Sequence, residues 1–190
     1  GIALIVSALL AIGNKQTKAE INMRLQEDMR ASLDMVVPKS LYDNNILSDT
    51  VLILNDKKEE KLVYVARKDN QVIGVAFEMI EPGYSGPIQI IIGVDRSGEI
   101  MGTRVISHTE TPGLGDKIEA KKDDWILSFN GLSLQNTAIN KWAVKKDGGR
   151  FDQFSGATIT PRAVVKAITK GLMFFNEKVK PELITAPPAA

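Results

Sequence analysis

The sequence predicts an α+β domain, an antiparallel sheet covered by helices, behind an apolar segment at the N-terminus. Three observations predict it: strand-like runs that pair through short turns, an amphipathic helical run near the C-terminus, and an uncharged run over residues 1–13. With 190 residues, the chain has the length of one domain with an appendage and can bury a substantial core.

Two hairpins supply the predicted sheet. Residues 62–66 and 72–77 are rich in β-branched and apolar side chains, and a polar turn over residues 68–71 separates them. Residues 88–94 and 100–106 form a similar pair across the turn DRSG. Strands that are joined by hairpins lie antiparallel, so we expect an antiparallel sheet.

Two helices are expected to cover this sheet, one around residues 123–127 and a longer one after Thr160. Threonine is a favoured N-cap, and proline suits the first helical position because its missing N–H would be unpaired there. The sequence therefore predicts that Thr160 caps the longer helix and that Pro161 opens it.

The N-terminal run over residues 1–13 is uncharged and nearly all apolar. A soluble helix is usually apolar along one stripe, so this run favours the end of a transmembrane helix. That helix would be partly missing, because a full crossing needs about 20 residues. A helix buried inside the protein is the alternative interpretation.

Behind this run, residues 14–37 have a helical pattern that Pro38 stops. We predict a stalk helix here, which can also be the first helix of the core. The main domain is then expected over residues 38–185, and residues 186–190 (APPAA) are expected to form a loose tail.

Composition excludes several classes of function. The formal net charge of +1 gives no electrostatic reason to expect nucleic acid as a partner. The absence of cysteine excludes disulfides, a thiolate nucleophile and iron–sulfur clusters bound by this chain. Because His108 is the only histidine, the chain cannot build a catalytic triad or a multi-histidine metal site. No acid–base pair is evident, so we expect neither catalytic residues nor a metal.

The segment DQFSGAT, residues 152–158, is the most informative motif. A glycine-containing loop ends in a hydroxyl residue just before a helix begins. The free N–H groups and the positive dipole end of a helix start attract anions, so the residues alone indicate an anion-binding loop. An ordinary capped helix start is the plain alternative.

Three further segments accompany it: HTETPGLGDK (residues 108–117), WAVKKDGG (142–149) and GYSGP (83–87). The first and last are rich in glycine and proline, which is typical of turns. Glycine also permits a backbone to come close to a planar ring, because it has no side chain to collide.

Together, these segments resemble an FMN-binding family in which a flavin transferase joins FMN to a threonine through a phosphodiester. Its members include the G subunit of Rnf/Rsx electron-transport complexes and the C subunit of sodium-pumping NADH:quinone reductases. The resemblance implies that residues 38–185 are an FMN-binding domain and that Thr158 is the covalent acceptor. It also implies that Asp152 is recognised by the transferase. Thr160, which is close by, is the second candidate acceptor.

The resemblance also implies which residues surround the flavin. Ser155, Gly156 and Ala157 would form the tight loop that exposes Thr158. The second wall of the site would consist of Glu110, Thr111, Pro112, Gly113, Leu114 and Gly115, with Lys117, Tyr84 and Ser85 as further contacts. His108 is expected to support this loop, and Trp125, Phe129 and Trp142 are expected to be core residues. The acidic residues Glu119, Asp123 and Asp124 are expected to lie at a helix start or on a solvated face.

By resemblance, the chain is an electron-relaying flavoprotein subunit and not a stand-alone catalyst. The whole complex would move electrons between NADH and ferredoxin and couple them to cation transport. It would lie in the bacterial inner membrane, with this main domain on the periplasmic side and other subunits as partners. The C-subunit branch, a membrane-tethered flavin sensor and a structural module without cofactor are the alternatives. The residues do not distinguish the Rnf role from the Rsx role, which keeps a redox-responsive regulator reduced.

Overall fold

A computed structural model describes residues 23–185. The chain divides into two compact units after Ala31, and the sheet with its helices belongs to the second. Helix α1 covers residues 23–36. The strands are β1 (Thr50–Leu54), β2 (Glu60–Lys68), β3 (Gln71–Pro82), β4 (Pro87–Asp95) and β5 (Ile100–Ser107). Helix α2 (Ile159–Phe174), a π-helical turn (Phe175–Val179) and α3 (Lys180–Leu183) follow. Short 3-10 helices lie at Lys39–Leu41, Gly115–Ile118, Asp124–Phe129, Ile139–Lys141 and Lys145–Asp147.

The strands form one antiparallel meander in the order β1-β2-β3-β4-β5, in which each strand pairs with the next along the chain. The two predicted hairpins are confirmed as β2–β3 and β4–β5. In the β2–β3 turn, Asp69 and Asn70 both have positive φ, 50° and 62°. This is the two-residue turn whose twist matches that of the flanking strands. Strand β1, at the edge of the sheet, was not predicted.

Helix α2 covers one face of the sheet, as predicted, and packs against β3 and β4. At Gly171 the helix comes so close to β4 that an added Cβ would lie 2.7 Å from Ile92 Cδ1. The ring of Phe174 meets the ring of Phe77 edge to face, with centroids 5.4 Å apart. The second predicted helix is present as the 3-10 helix Asp124–Phe129, which lies beside β5.

Buried aromatic side chains fix the segment that leads into α2. They form one cluster: Trp125, Phe129, Trp142, Phe151 and Phe154. The indole N–H of Trp125 donates to the main-chain oxygen of Asp152 at 2.9 Å, and its ring lies 5.1 Å from that of Phe154. The predicted core role of the two tryptophans and Phe129 is therefore confirmed, and this core anchors both ends of residues 152–154.

The opposite face of the sheet is covered near β4 and β5 by the end of α1. Leu33, Val36 and Val37 are fully buried there. The main chain at Val36 comes so close that a Cβ on Gly93 would lie 2.1 Å from the Val36 carbonyl oxygen. A glycine at this position is therefore required by the close contact between strand and helix end.

The predicted transmembrane run over residues 1–13, the first part of the predicted stalk and the tail over residues 186–190 lie outside the described residues. Within residues 23–185, no helix combines the length and the hydropathy that a membrane crossing requires. The helix predicted up to Pro38 is observed over residues 23–36, and its role as a stalk stays a prediction.

We predict that Gly93→Ala lowers the free energy of unfolding by about 3 kcal/mol, because the new methyl group would collide with the main-chain carbonyl of Val36. Urea denaturation of the purified chain measures the change. The matched control is Gly148→Ala, at φ 86° with nothing within 4 Å of the added Cβ, where only about 1–2 kcal/mol of backbone strain is expected. Equal losses in the two variants would contradict the predicted collision between the new methyl group and the Val36 carbonyl.

Candidate cofactor site

A cavity of about 320 Å³ opens beside the start of α2. Its volume lies within the range of roughly 300–1,000 Å³ that is typical of small-molecule sites. Three chain segments form its walls: the β3–β4 turn, the loop after β5, and the residues that lead into α2. The lining residues are Tyr84, Glu110, Thr111, Leu114, Gly115, Gly156, Ala157, Thr158, Ile159 and Thr160. The structure thus brings together much of the predicted site.

The carboxylate of Glu110 joins these three walls. The residue is only 4% exposed. The backbone N–H of Ser85 donates to Oε1 at 2.9 Å, and that of Tyr84 donates to Oε2 at 3.3 Å. The hydroxyl of Thr160, in the first turn of α2, also donates to Oε2. An ionised carboxylate, which is an acceptor only, matches these three donors.

Two glycines let the walls approach one another. A Cβ on Gly115 would lie 2.9 Å from Cβ of Glu110 and 3.0 Å from Oγ1 of Thr160. Gly156 has a φ of 81°, in the left-handed region that favours glycine, and a Cβ there would lie 3.3 Å from Leu114. Gly115 and Gly156, one from each predicted loop, therefore let side chains of the facing walls pack closely against the backbone around the cavity.

Thr158 occupies the N-cap position of α2, half-exposed, on the cavity wall. Its hydroxyl makes no capping hydrogen bond. The preceding turn is closed by the N–H of Ala157, which donates to the carbonyl of Phe154 at 3.2 Å. Because Phe154 is part of the aromatic cluster, the core holds this turn and presents the Thr158 side chain toward the cavity.

The predicted role of Thr160 as the helix cap is wrong. Helix α2 begins at Ile159, so Thr160 and Pro161 are its second and third residues. Thr160 is 1% exposed, and its hydroxyl is bonded to Glu110.

Some residues predicted for the site lie elsewhere. Lys117 and Ser155 line a separate depression, together with residues of the aromatic cluster. Pro112 and Gly113 are exposed in the loop after β5 and do not line the cavity. Ser85 contributes through its backbone N–H to Glu110. The exposed Ile159 is a lining residue that the motif analysis missed, although an apolar residue between two threonines at a helix start was visible in the sequence.

His108 supports the loop, as the sequence suggested. The N–H of Glu110 donates to Nδ1 of His108 at 3.1 Å, so the neutral ring carries its proton on Nε2, which lies 2.9 Å from Oε1 of Glu119. Burial acts to raise the pKa of Glu119, but hydrogen bonds from His108 and Lys122 outweigh it, and the pKa lies below its ordinary value. The imidazole thus fixes the backbone that carries the cavity carboxylate.

Lys122 connects two carboxylates below this loop. Its Nζ lies 2.6 Å from Oδ2 of Asp116 and 3.3 Å from Oε1 of Glu119. The hydrogen bond from Lys122 holds the pKa of Asp116 below its ordinary value. Asp123, by contrast, accepts from the N–H of Trp125 at 2.8 Å and caps the 3-10 helix that Trp125 belongs to.

The charged side chains that line the cavity are negative only. Among its lining residues Glu110 is the single acidic side chain, and none is lysine or arginine. Positive potential comes from the unpaired N–H groups at the start of the 16-residue helix α2. A ligand with an anionic end and a planar, partly apolar body suits this arrangement of helix start, Leu114, Ile159 and Tyr84.

Comparison with known proteins identifies the family. Residues 83–173 match the FMN-binding domain. The chain is 46% identical over 173 residues to the G subunit of the ion-translocating oxidoreductase complex from Stutzerimonas stutzeri, and the match covers 91% of this chain and 76% of that protein. With the corresponding G subunit of Cereibacter sphaeroides it shares 48% identity over 190 residues, covering 99% and 86%. The chain belongs to this G-subunit family.

The fold of this G-family chain also resembles a solved structure. The C subunit of the Na⁺-translocating NADH-quinone reductase from Parabacteroides distasonis is 22% identical, with a TM-score of 0.53, covering 87% of this chain and 96% of that chain. This likeness shows a shared fold alone. The predicted assignment to the G-subunit branch is confirmed by the sequence identities.

We predict that Thr160→Val destabilises the G-family domain by about 1–3 kcal/mol, because a buried carboxylate oxygen loses a donor while the side-chain shape is kept. Chemical denaturation measures the change. Thr169→Val, in the same helix, is the control: its hydroxyl donates to the Val165 carbonyl at 2.8 Å, and its loss should change stability by no more than about 0.5 kcal/mol. Equal effects would argue against a stabilising role of the Glu110 hydrogen bond.

A second prediction concerns the stability of the chain at acidic pH. The pKa values of Asp116 and Glu119 in the folded state lie below their ordinary values of 3.8 and 4.5. The stabilisation from pairing with Lys122 is therefore fully present at a pH above the ordinary pKa values. It is lost as the pH falls through the lowered pKa values of the folded state. Lys122→Met should therefore destabilise the chain at about pH 7, and the difference from wild type should shrink toward about pH 3. Urea unfolding at both pH values measures it; a constant difference would exclude these ion pairs as its source.

Proposed function

We infer that the chain is an FMN-carrying electron-transfer subunit of an ion-translocating oxidoreductase. Its place in the G-subunit family and its FMN-binding domain support this function. The observation on which the finer proposal rests is the position of Thr158, the last residue of the signature, with its uncapped hydroxyl on the wall of the cavity. We propose that FMN is joined to this hydroxyl through a phosphodiester.

The three threonines of the cavity differ in ways that favour Thr158. Thr160 is buried and bonded to Glu110. Thr111 is exposed, but it lies on the opposite wall, in the loop after β5. Thr158 alone combines partial exposure with a position at the start of α2, where backbone N–H groups offset the charge that a phosphodiester retains.

The residues around the cavity fit the rest of a flavin. Leu114, Ala157 and Ile159 offer apolar surface, and Tyr84, which is 71% exposed, offers an aromatic ring at the edge of the cavity. When bound, FMN supplies reversible electron uptake and release, and the protein supplies position and electrostatic environment. The covalent link and the anchored turn before Thr158 keep the cofactor in place while partners exchange electrons with it.

Maturation requires a flavin transferase, and we propose that it recognises the signature around Asp152. The Asp152 carboxylate is largely exposed and pairs with Lys145 at 2.6 Å. In the assembled complex, other membrane subunits would react with NADH and with ferredoxin, and cation transport would be coupled to the electron flow between them. We further propose an inner-membrane location with this domain on the periplasmic side.

We predict that Thr158→Ala abolishes acid-stable flavin when the chain is coexpressed with a flavin transferase, because the acceptor oxygen is removed. Mass spectrometry of the denatured protein should find the FMN mass on the wild-type peptide that contains Thr158, and none in the variant. Thr158→Ser, which keeps a hydroxyl, tests whether the oxygen suffices.

Thr111→Ala and Thr160→Val are the controls, since each removes another hydroxyl from the same cavity. Both should retain acid-stable flavin on Thr158. Flavin lost in Thr111→Ala and kept in Thr158→Ala would move the acceptor to the opposite wall. An unmodified wild-type chain would remove the basis of the electron-carrier proposal and leave a structural module or a sensor as the function.

A further inference from the structure

Glu110 is a buried carboxylate without an ionic partner among the described residues. Its oxygens accept from two backbone N–H groups and from the Thr160 hydroxyl. Elsewhere in the fold, a carboxylate with equal burial is neutralised: Glu81, also 4% exposed, forms ion pairs with Lys166 and with Lys170. The contrast makes the Glu110 environment unusual within this chain.

We propose that Glu110 sets the charge of the flavin site and keeps the reduction potential of the bound FMN low. This inference rests on the proposed function, because it requires FMN in the cavity. The carboxylate lines the cavity, and no lysine or arginine lies among the lining residues. A ring that fills a cavity of about 320 Å³ lies within the Debye length of about 10 Å from this charge, so solvent ions screen it little.

Reduction adds an electron from an external reductant to the flavin, and no bond at Glu110 forms or breaks. A fixed negative charge nearby opposes the added electron, and the opposition is stronger in a partly buried site than in water. The phosphodiester on Thr158 adds a second negative charge, but it lies at the start of α2, where the helix N–H groups offset it. The donors to Glu110 are two backbone N–H groups and a hydroxyl, which are neutral, and no lysine or arginine lies among the described residues that line the cavity, so the carboxylate charge acts on the ring.

The geometry of the hydrogen bonds keeps this charge in place. The two N–H donors come from the β3–β4 turn and the hydroxyl donor comes from α2, so the carboxylate cannot rotate toward solvent without breaking contacts on two walls. Gly83 and Gly115 leave no room for a side chain beside it, since a Cβ would lie 2.6 Å from Glu110 Oε1 and 2.9 Å from Glu110 Cβ, respectively. The structural role and the electrostatic role therefore belong to the same atoms.

Glu110→Gln tests the proposal, because it removes the charge with little change of shape. The full-length flavinylated protein, coexpressed with the transferase, is titrated with dithionite and redox dyes, and the midpoint potential is read from flavin absorbance. We expect a higher midpoint potential in Glu110→Gln. Glu119→Gln is the matched control: it removes the same charge from the same loop outside the cavity, and it should shift the potential much less.

An unchanged potential in a flavinylated Glu110→Gln protein, or an equal shift in Glu119→Gln, overturns the proposal. Absence of flavin from the wild type would instead defeat the proposed function, so the two failures are distinguishable. If Glu110→Gln does not fold, Thr111→Lys and Thr111→Gln replace it. A cation on the same wall must then raise the potential relative to the neutral variant, and equal potentials overturn the proposal.

Discussion

The hydrogen bonds of one buried carboxylate, that of Glu110, connect every wall of the candidate cofactor site. They join the β3–β4 turn, the loop after β5 and the first turn of α2. These segments are far apart in the chain, and each follows a different element of the sheet or the core. A carboxylate can serve all of them because it accepts several hydrogen bonds at once and donates none when ionised.

Two further sets of contacts hold the segments of the site in position. His108 holds the backbone of Glu110 from one side, and the aromatic cluster holds the turn before Thr158 from the other. Both supports lie on or beside well-packed regular structure, as a site requires if it is to hold a ring at a fixed position. The antiparallel meander thus provides a stable base, and the β3–β4 turn, the loop after β5 and the start of α2 provide the residues that line the cavity.

Much of this arrangement could be predicted from the sequence. The hairpins followed from β-branched runs and polar turns, and the signature at residues 152–158 indicated the family and the residue that we propose as the acceptor. Strand β1 was missed because its sequence TVLIL has no polar alternation, and its exposed Leu52 and Leu54 are not distinguishable in sequence from buried residues. Long-range pairing with β2 decides its structure, and local pattern does not contain that information.

For the site residues too, the local sequence identified the segments but not the direction of each side chain. Helix α2 begins two residues earlier than the predicted first helical position, Pro161, so Thr160 lies within its first turn, and successive helical side chains differ by about 100° in direction. Thr160 therefore points inward to Glu110, whereas the sequence had suggested a cap. Lys117 and Ser155 belong to the right loops but face another depression. Motifs identified the segments, and the packing of those segments determined which side chains meet.

The burial of Thr160 has a consequence for the order of events during biogenesis. In a newly made, unfolded polypeptide, the two threonine hydroxyls of the sequence TIT would be chemically equivalent to a modifying enzyme. Folding hides one of them beneath the turn and leaves the other outside. For the proposed esterification of Thr158, regioselectivity can thus arise from the shape of the substrate protein, provided that folding precedes the modification.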